Sequence, residues 1–154
     1  MREVELIAKQ IERTFSGPAW HGPSVEQVLQ GVDAKTACAA SPGGDHTLWQ
    51  IVDHMAFWEA AVLRWLSGEL VQPKDEDSWS AVSDASEAAW QATLAQLRRG
   101  HQQLLDVVRS LDDGRLKEKL FDDMPSVYGI LHGVAQHNVY HAGQIALLKK
   151  IGRK

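Results

Sequence analysis

The sequence predicts an all-α protein, a four-helix bundle with a long first connection that contains a short helix. Apolar residues recur with the 3.6-residue period of amphipathic helices in four long segments, and strand-like alternation is scarce. Four such helices bury their apolar faces by packing around a shared core. With 154 residues and no internal repeat, the chain is expected to form one domain over residues 1–154.

Apolar stripes and capping residues predict where the first helices begin and end. Residues 2–15 carry one apolar stripe and are predicted to form a helix, which the two Gly-Pro pairs in SGPAWHGPS end. A short helix is expected at 24–29, followed by a loop to residue 46. Thr47 and Gln50 form a capping box that opens a helix to about residue 67, where Gly68 ends it. The residues of the first stripe are Val4, Ile7, Ala8, Ile11 and Phe15.

The second half of the chain carries two longer helical patterns. The polar segment 68–84 contains Pro73 and is expected to be an exposed connection with Trp79 folded back. A heptad seam predicts the longest helix at 83–111. The run DDGR breaks it, and a last helix is predicted from Pro125 to about Ile151. The seam consists of Trp90, Leu94, Leu97, His101, Leu104, Val108 and Leu111.

Composition disfavours several classes of function. The formal net charge of −4 argues against nucleic acid or an anionic membrane as a partner. No apolar run approaches the roughly 20 residues of a spanning helix, and the charged start MREVELIAKQ is unlike a signal peptide, so the cytoplasm is expected. The single cysteine, Cys38, excludes an internal disulfide and a cysteine-rich zinc site.

Three histidines are the main functional signal. His137 and His141 lie four residues apart, so both rings emerge from one face of the last helix, among Ile130, Val134, Ile145 and Leu148. His54 lies on the apolar stripe of the second long helix, with Ile51, Trp58, Ala61 and Trp65. Three inward imidazoles from two helices predict one shared metal ion, and three protein nitrogens with open positions are typical of catalytic sites.

The neighbouring residues narrow the kind of metal site. The segment HNVYH has Asn138 where a metalloprotease of the H-E-x-x-H type needs glutamate, and the Glu-x-x-His pairs of a di-iron bundle are absent. A mononuclear site remains, and its imidazole ligands favour zinc or nickel over magnesium or calcium. A metal-free bundle with hydrogen-bonded core histidines stays open.

These segments resemble the DinB-like, YfiT-like superfamily of metal-dependent enzymes. GPAWHGPS, HTLWQIVDHMAFWEAAVLRWLSGE and AQHNVYHAGQIALLKK are similar to its segments in the same order. The most specific part is His54 combined with H-x-x-x-H-x-G-Q, formed here by His137, His141, Gly143 and Gln144. The resemblance implies a four-helix bundle whose three histidines hold nickel or zinc, and in some members a transferase or isomerase that uses a low-molecular-weight thiol.

Other polar and aromatic residues are candidates for supporting the ligands or lining the pocket, each with a structural alternative. Gln144 either holds a ligand histidine or is a plain buried amide. Tyr140 and Trp58 either line the pocket or pack in the core, and His101 either faces the pocket or is a packed histidine. His21 and His46 are expected at a pocket edge or a helix cap, and His132 in solvent. Asp53 and Glu59 are expected to be surface charges, which leaves no carboxylate base.

The sequence therefore predicts a metal-assisted transferase or hydrolase acting on a small electrophile, with a thiol nucleophile preferred because the resemblance implies it. A non-catalytic protein that binds a metal or small ligand is the alternative. The tryptophan-rich second helix and the long seam also predict a homodimer through a bundle face.

Overall fold

The computed structural model describes residues 1–44 and 46–151, and in that part of the chain the regular structure is helical, without strands. The four long helices are α1 (Glu3–Phe15), α4 (Leu48–Leu66), α5 (Glu87–Ser110) and α6 (Val127–Ile151), which confirms the predicted all-α four-helix bundle. None of the helices in these ranges combines the length and apolar composition that crossing a bilayer requires. The elements are α1 (Glu3–Phe15), α2 (Val25–Leu29), α3 (Ala34–Cys38), α4 (Leu48–Leu66), a 3₁₀ helix (Asp75–Ser78), α5 (Glu87–Ser110), a second 3₁₀ helix (Asp113–Lys117) and α6 (Val127–Ile151).

The long helices pack as a ring. Helix α4 packs against α5 and α6, and α1 packs against the same two helices. The connection between α1 and α4 covers part of this ring, since α2 packs on α6 while α3 packs on α4 and α5. The predicted stripe of α1 is buried, with Val4, Ile7, Ala8, Ile11 and Phe15 all inside the core.

Local capping sets the helix ends. The Thr47 N–H donates to Gln50 Oε1 at 3.0 Å, and the Gln50 N–H donates to Thr47 Oγ1 at 3.3 Å, which is the predicted capping box. Gly68, with φ +90°, follows the end of α4 in the left-handed region that favours glycine. Helix α5 begins at Glu87, four residues later than the predicted residue 83, because Ser86 caps it by accepting from the Ala89 N–H at 3.2 Å.

The prediction of a loop from residue 30 to 46 was wrong at α3. Asp33 starts this helix by accepting the Thr36 N–H at 2.8 Å. Residues distant in sequence then hold it, because the Ala34 N–H donates to Glu87 Oε2 at 2.8 Å and Trp90 Nε1 donates to the Val32 carbonyl at 2.8 Å. A five-residue helix needs such tertiary support, since its own hydrogen bonds are too few.

The core consists of two apolar clusters with polar side chains at the break between them. One cluster holds the later part of α4 and α5 with the start of α6, and the other holds the early part of α4 and α5 with the end of α6. Buried polar residues lie at or beside the break on each of these helices, and they are His54, Glu59, His101, Asn138 and His141. Buried polar groups need partners, and two of these five, His54 and His141, belong to the candidate site.

Candidate metal centre

Three imidazoles converge between α4 and α6. Helix α4 brings His54, and α6 brings His137 and His141 on successive turns. The His137 Nε2 atom lies 3.1 Å from Nε2 of His54 and 3.0 Å from Nε2 of His141. One ligand atom from each ring lies within 4.8 Å of the other two. The rings of His54 and His141 are buried, and that of His137 is half-buried.

Hydrogen bonds on the outer side of the cluster fix which nitrogens face inward. Gln144 Oε1 lies 2.7 Å from His141 Nδ1 and can only accept, so His141 carries its proton on Nδ1. Ser78 Oγ donates to the Asp75 carbonyl and therefore accepts from His54 Nδ1, 2.8 Å away. Both rings then direct the lone pair of Nε2 into the cluster.

This donor set fits a divalent cation. Two nitrogens that are each 2.0–2.1 Å from a tetrahedral ion lie about 3.3 Å apart, a few tenths of an ångström beyond the two Nε2 separations here. Without a cation, only His137 can supply an N–H between the two inward lone pairs, so the protons are too few for a full set of hydrogen bonds. Outer hydrogen bonds to ligating histidines are also the usual support of metal ligands.

Burial keeps the three rings in the neutral form that binds metal. The pKa of His137 is lowered to about 3, chiefly by burial and in addition by the neighbouring rings of His141 and His54. Burial likewise lowers the pKa of His54 to about 4, while the negative charge of Asp75 acts in the opposite direction. The pKa of His141 is also lowered by burial, against the effect of its hydrogen bond with Gln144. No proton therefore competes for these nitrogens at neutral pH.

The segment after α4 folds back over His54. The indole of Trp79 stacks on His54 at 3.9 Å between ring centroids, and it also stacks on His46 at 3.6 Å. Trp79 Nε1 donates to Asp75 Oδ2 at 3.3 Å. The prediction that Trp79 folds back is confirmed. Nothing in the sequence indicated that Ser78 and Asp75 would reach the histidines.

A cavity of about 570 Å³ opens beside the imidazoles. The three histidines form one part of its wall, and Glu59 and Asp75 contribute two carboxylates. Most of the remaining wall is apolar, formed by Trp58, Val62, Trp65, Met124, Ile130 and Val134. The cavity can therefore hold a small, mostly apolar molecule against the histidine nitrogens.

The candidates for supporting the ligands or lining the pocket fall in different places. Gln144 contacts His141, and its Nε2 donates to Tyr140 Oη at 3.3 Å. Trp58 is half-buried and lines the cavity. Tyr140 also lines it, but the side chain is 64% exposed, so the alternative of a core tyrosine is wrong.

His101 does not line the cavity but lies behind Glu59. The expected surface position of Glu59 was wrong, because this residue is only 2% exposed. Its carboxylate lies 3.0 Å from His101 Nδ1 and accepts from Asn138 Nδ2 at 3.0 Å. The ring of His101 also stacks on Phe15 with 3.7 Å between centroids. The seam pattern could place His101 inside the core but could not identify its partner on α4.

Three further expectations have mixed outcomes. His132 is half-buried against Tyr128, with Nε2 enclosed, so its expected position in solvent was wrong. Asp53 is half-buried rather than a surface charge, and burial raises its pKa to about 6. His46 directly precedes Thr47, the N-cap residue of α4, and stacks on Trp79, which lines the cavity, while His21 is exposed.

One comparison with known proteins gives a match. The family model of the DinB superfamily matches residues 20–145, which include all three histidines, the whole of α4 and α6 as far as residue 145. No curated protein and no solved structure matches the chain.

Proposed function

The chain belongs to the DinB superfamily, and we propose that it is a metal-dependent enzyme in which His54, His137 and His141 hold one zinc or nickel ion. The observation that carries the proposal is the inward lone pair on Nε2 of both His54 and His141, enforced by acceptors on the opposite ring nitrogens. Three neutral imidazoles are a ligand set typical of catalytic zinc, which leaves positions open for a small molecule.

The reaction class follows from the open positions and the cavity. A divalent ion at the three nitrogens would lower the pKa of a bound thiol or water toward neutral and so supply a nucleophile. The enzyme would then be a transferase or hydrolase in which this nucleophile forms a bond to a small electrophile in the cavity and the bond to the leaving group of that electrophile breaks. The resemblance to thiol-dependent members favours the thiol, which would be a low-molecular-weight cofactor.

The residues around the histidines would perform the remaining tasks. Ser78 and Gln144 hold the rings of His54 and His141 in the ligating orientation. Trp79 covers one face of His54 and limits the access of water. Asp75 lines the same cavity and reaches solvent, so its carboxylate is the group that would accept the proton lost by the nucleophile.

Metal binding is tested on protein purified without a histidine tag. Equilibrium dialysis against zinc and against nickel should give one ion per chain. His137→Ala should weaken binding by at least about 100-fold, since one of three ligands is lost. His21→Ala is the matched control, because His21 is exposed and lies outside the cluster. Equal affinities in the two variants would reject the three-histidine site.

Catalysis is tested separately on the loaded protein. Displacement of chloride from 1-chloro-2,4-dinitrobenzene by a thiol and hydrolysis of p-nitrophenyl acetate should be abolished by a chelator and by His137→Ala. A protein that binds one ion through these histidines but accelerates neither reaction would favour the alternative, a non-catalytic protein that binds a metal or small ligand.

A further inference from the structure

The charge of the cavity wall restricts what the cavity can bind. Among the described residues that line it, the ionisable side chains other than histidine and tyrosine are Glu59 and Asp75, and there is no lysine or arginine. Glu59 already has two partners in His101 and Asn138. An anionic group placed against this wall away from the three histidines would lose its hydration without gaining a protein cation, which is costly.

Another groove of the same molecule has the opposite character. The groove between α1 and α6 is lined by Lys9 and Arg13 and, among the described residues, by no aspartate or glutamate. The lack of a lysine or arginine around the histidines therefore does not extend to every cavity formed by the described residues.

The absence of a side chain at Gly133 leaves space in the cavity along α6. A Cβ atom at this position would meet no heavy atom within 4 Å, so a larger side chain would project into the cavity that Gly133 lines. The facing wall includes Trp58 and Val62 of α4. The backbone of α6 at Gly133 and these α4 side chains thus line one open cavity, in which the indole of Trp58 can contact the face of a ring.

We infer that the substrate of this site is an uncharged, mostly apolar molecule of about the size of a substituted ring, whose body lies against Gly133 and whose polar reacting group faces the three histidines. The inference rests on the proposed function for the role of the histidines. The body of the substrate is recognised by the apolar wall alone. A thiol that carries carboxylates would have to keep those groups outside the cavity.

The test uses two fluorescent probes that differ by one charged group, N-phenyl-1-naphthylamine and its 8-sulfonate. Both are titrated into metal-free protein at pH 8, where the wall carries no protein cation and a failure of metal binding cannot affect the result. All measurements are made on protein that carries Trp20→Ala. Lys9 and Arg13 line the groove that contains the fully exposed Trp20, and this groove would otherwise offer the sulfonate a second binding site.

The neutral probe should bind at least about tenfold more tightly than the sulfonate. Gly133→Leu should weaken the binding of the neutral probe by a similar factor, because the leucine side chain fills the cavity. Gly100→Leu is the matched control, since Gly100 is also helical and open around its Cβ position but does not line this cavity. Tyr140→Lys places a cation at an exposed position of the wall and should reduce the preference for the neutral probe several-fold, which tests the charge argument even if Gly133→Leu does not fold.

Equal or tighter binding of the sulfonate, or Gly133→Leu protein that folds and keeps its affinity for the neutral probe, would overturn the inference. Tyr140→Lys protein with an unchanged preference would overturn it as well.

Discussion

Glu59 is held by two buried partners, and its carboxylate satisfies donors on two other helices. His101 Nδ1 on α5 and Asn138 Nδ2 on α6 both lie 3.0 Å from its Oε1. The carboxylate is only 2% exposed and connects three helices, so its removal would do more than create a cavity. Its loss would leave both donors buried without an acceptor.

Glu59→Ala should therefore lower the free energy of unfolding of the metal-free protein by about 3 kcal/mol, measured by urea denaturation. The control is Glu12→Ala, which removes a surface ion pair of 3.0 Å with Arg109 whose side chains are 39% and 44% exposed. That change should cost less than about 1 kcal/mol. Similar losses in the two variants would show that the buried contacts of Glu59 contribute little.

Asp53 is a second carboxylate whose surroundings oppose its charge. Burial raises its pKa to about 6, so the folded protein binds this proton more tightly than the unfolded chain, whose aspartate pKa is near 3.9. The unfolded state is thus favoured as the pH rises from about 4 to 6, and the penalty persists above pH 6. Asp53→Asn should raise the free energy of unfolding by about 1 kcal/mol at pH 8 and leave it unchanged at about pH 4. A gain of the same size at both values would contradict this explanation.

Helix α4 carries His54 and depends on a well-defined start. Thr47 and Gln50 satisfy each other's backbone N–H groups at this end. The cap fixes where α4 begins, and the rotation of α4 then determines whether His54 faces α6 or another neighbour.

Thr47→Ala removes the side-chain acceptor of the Gln50 N–H and should cost about 1 kcal/mol in thermal or urea unfolding. Thr93→Ala is the matched control, because Thr93 is half-buried like Thr47 but lies in the interior of α5, where it caps no helix end. Alanine has the higher helix propensity, so this second change should alter the free energy of unfolding by less than about 0.5 kcal/mol. A larger loss from Thr93→Ala than from Thr47→Ala would reject the capping argument.

Helix α6 has neighbours on several sides, which explains why some of its residues lie elsewhere than the apolar periodicity predicted. It packs against α1, α4 and α2, as well as the second 3₁₀ helix. A helix with so many neighbours has no single apolar stripe, so assigning its faces from periodicity is ambiguous. The outward position of Tyr140 and the half-buried position of His132 both reflect this.

At the scale of the whole molecule, the three clustered histidines link folding to pH. The pKa values of His54 and His137 are lowered to about 4 and 3, and that of His141 is also lowered, against about 6.5 in an unfolded chain. Between these values the unfolded chain binds more protons, so the stabilising contribution is complete above about pH 6.5 and is lost as the pH falls toward 3.

Metal-free protein should lose about 2 kcal/mol more of its free energy of unfolding between about pH 7 and pH 5 than His137→Asn protein does. Urea denaturation at the two pH values measures this difference, and the comparison with the variant cancels the contributions of the other titrating groups. Parallel losses in the two proteins would mean that His137 does not couple protonation to unfolding.

The amino-acid sequence by itself determined the four long helices, the capping box of α4 and the inward placement of His54, His137 and His141. Each depends on neighbours within a few turns, since periodicity and caps are local properties of one helix. The single domain and the homodimer stay predictions, because no observation on this chain tests them.

Only the tertiary structure decided which polar groups meet. Ser78 lies 24 residues after His54, and Asn138 lies 79 residues after Glu59, yet each pair is joined by a side-chain hydrogen bond. The helix α3 likewise depends on Glu87 and Trp90 of α5. The apolar pattern of one helix indicates which side of that helix is buried, but it does not indicate which residues lie opposite. The opposing residues depend on how two helices are rotated and shifted relative to each other, and the packing of all their side chains sets that arrangement.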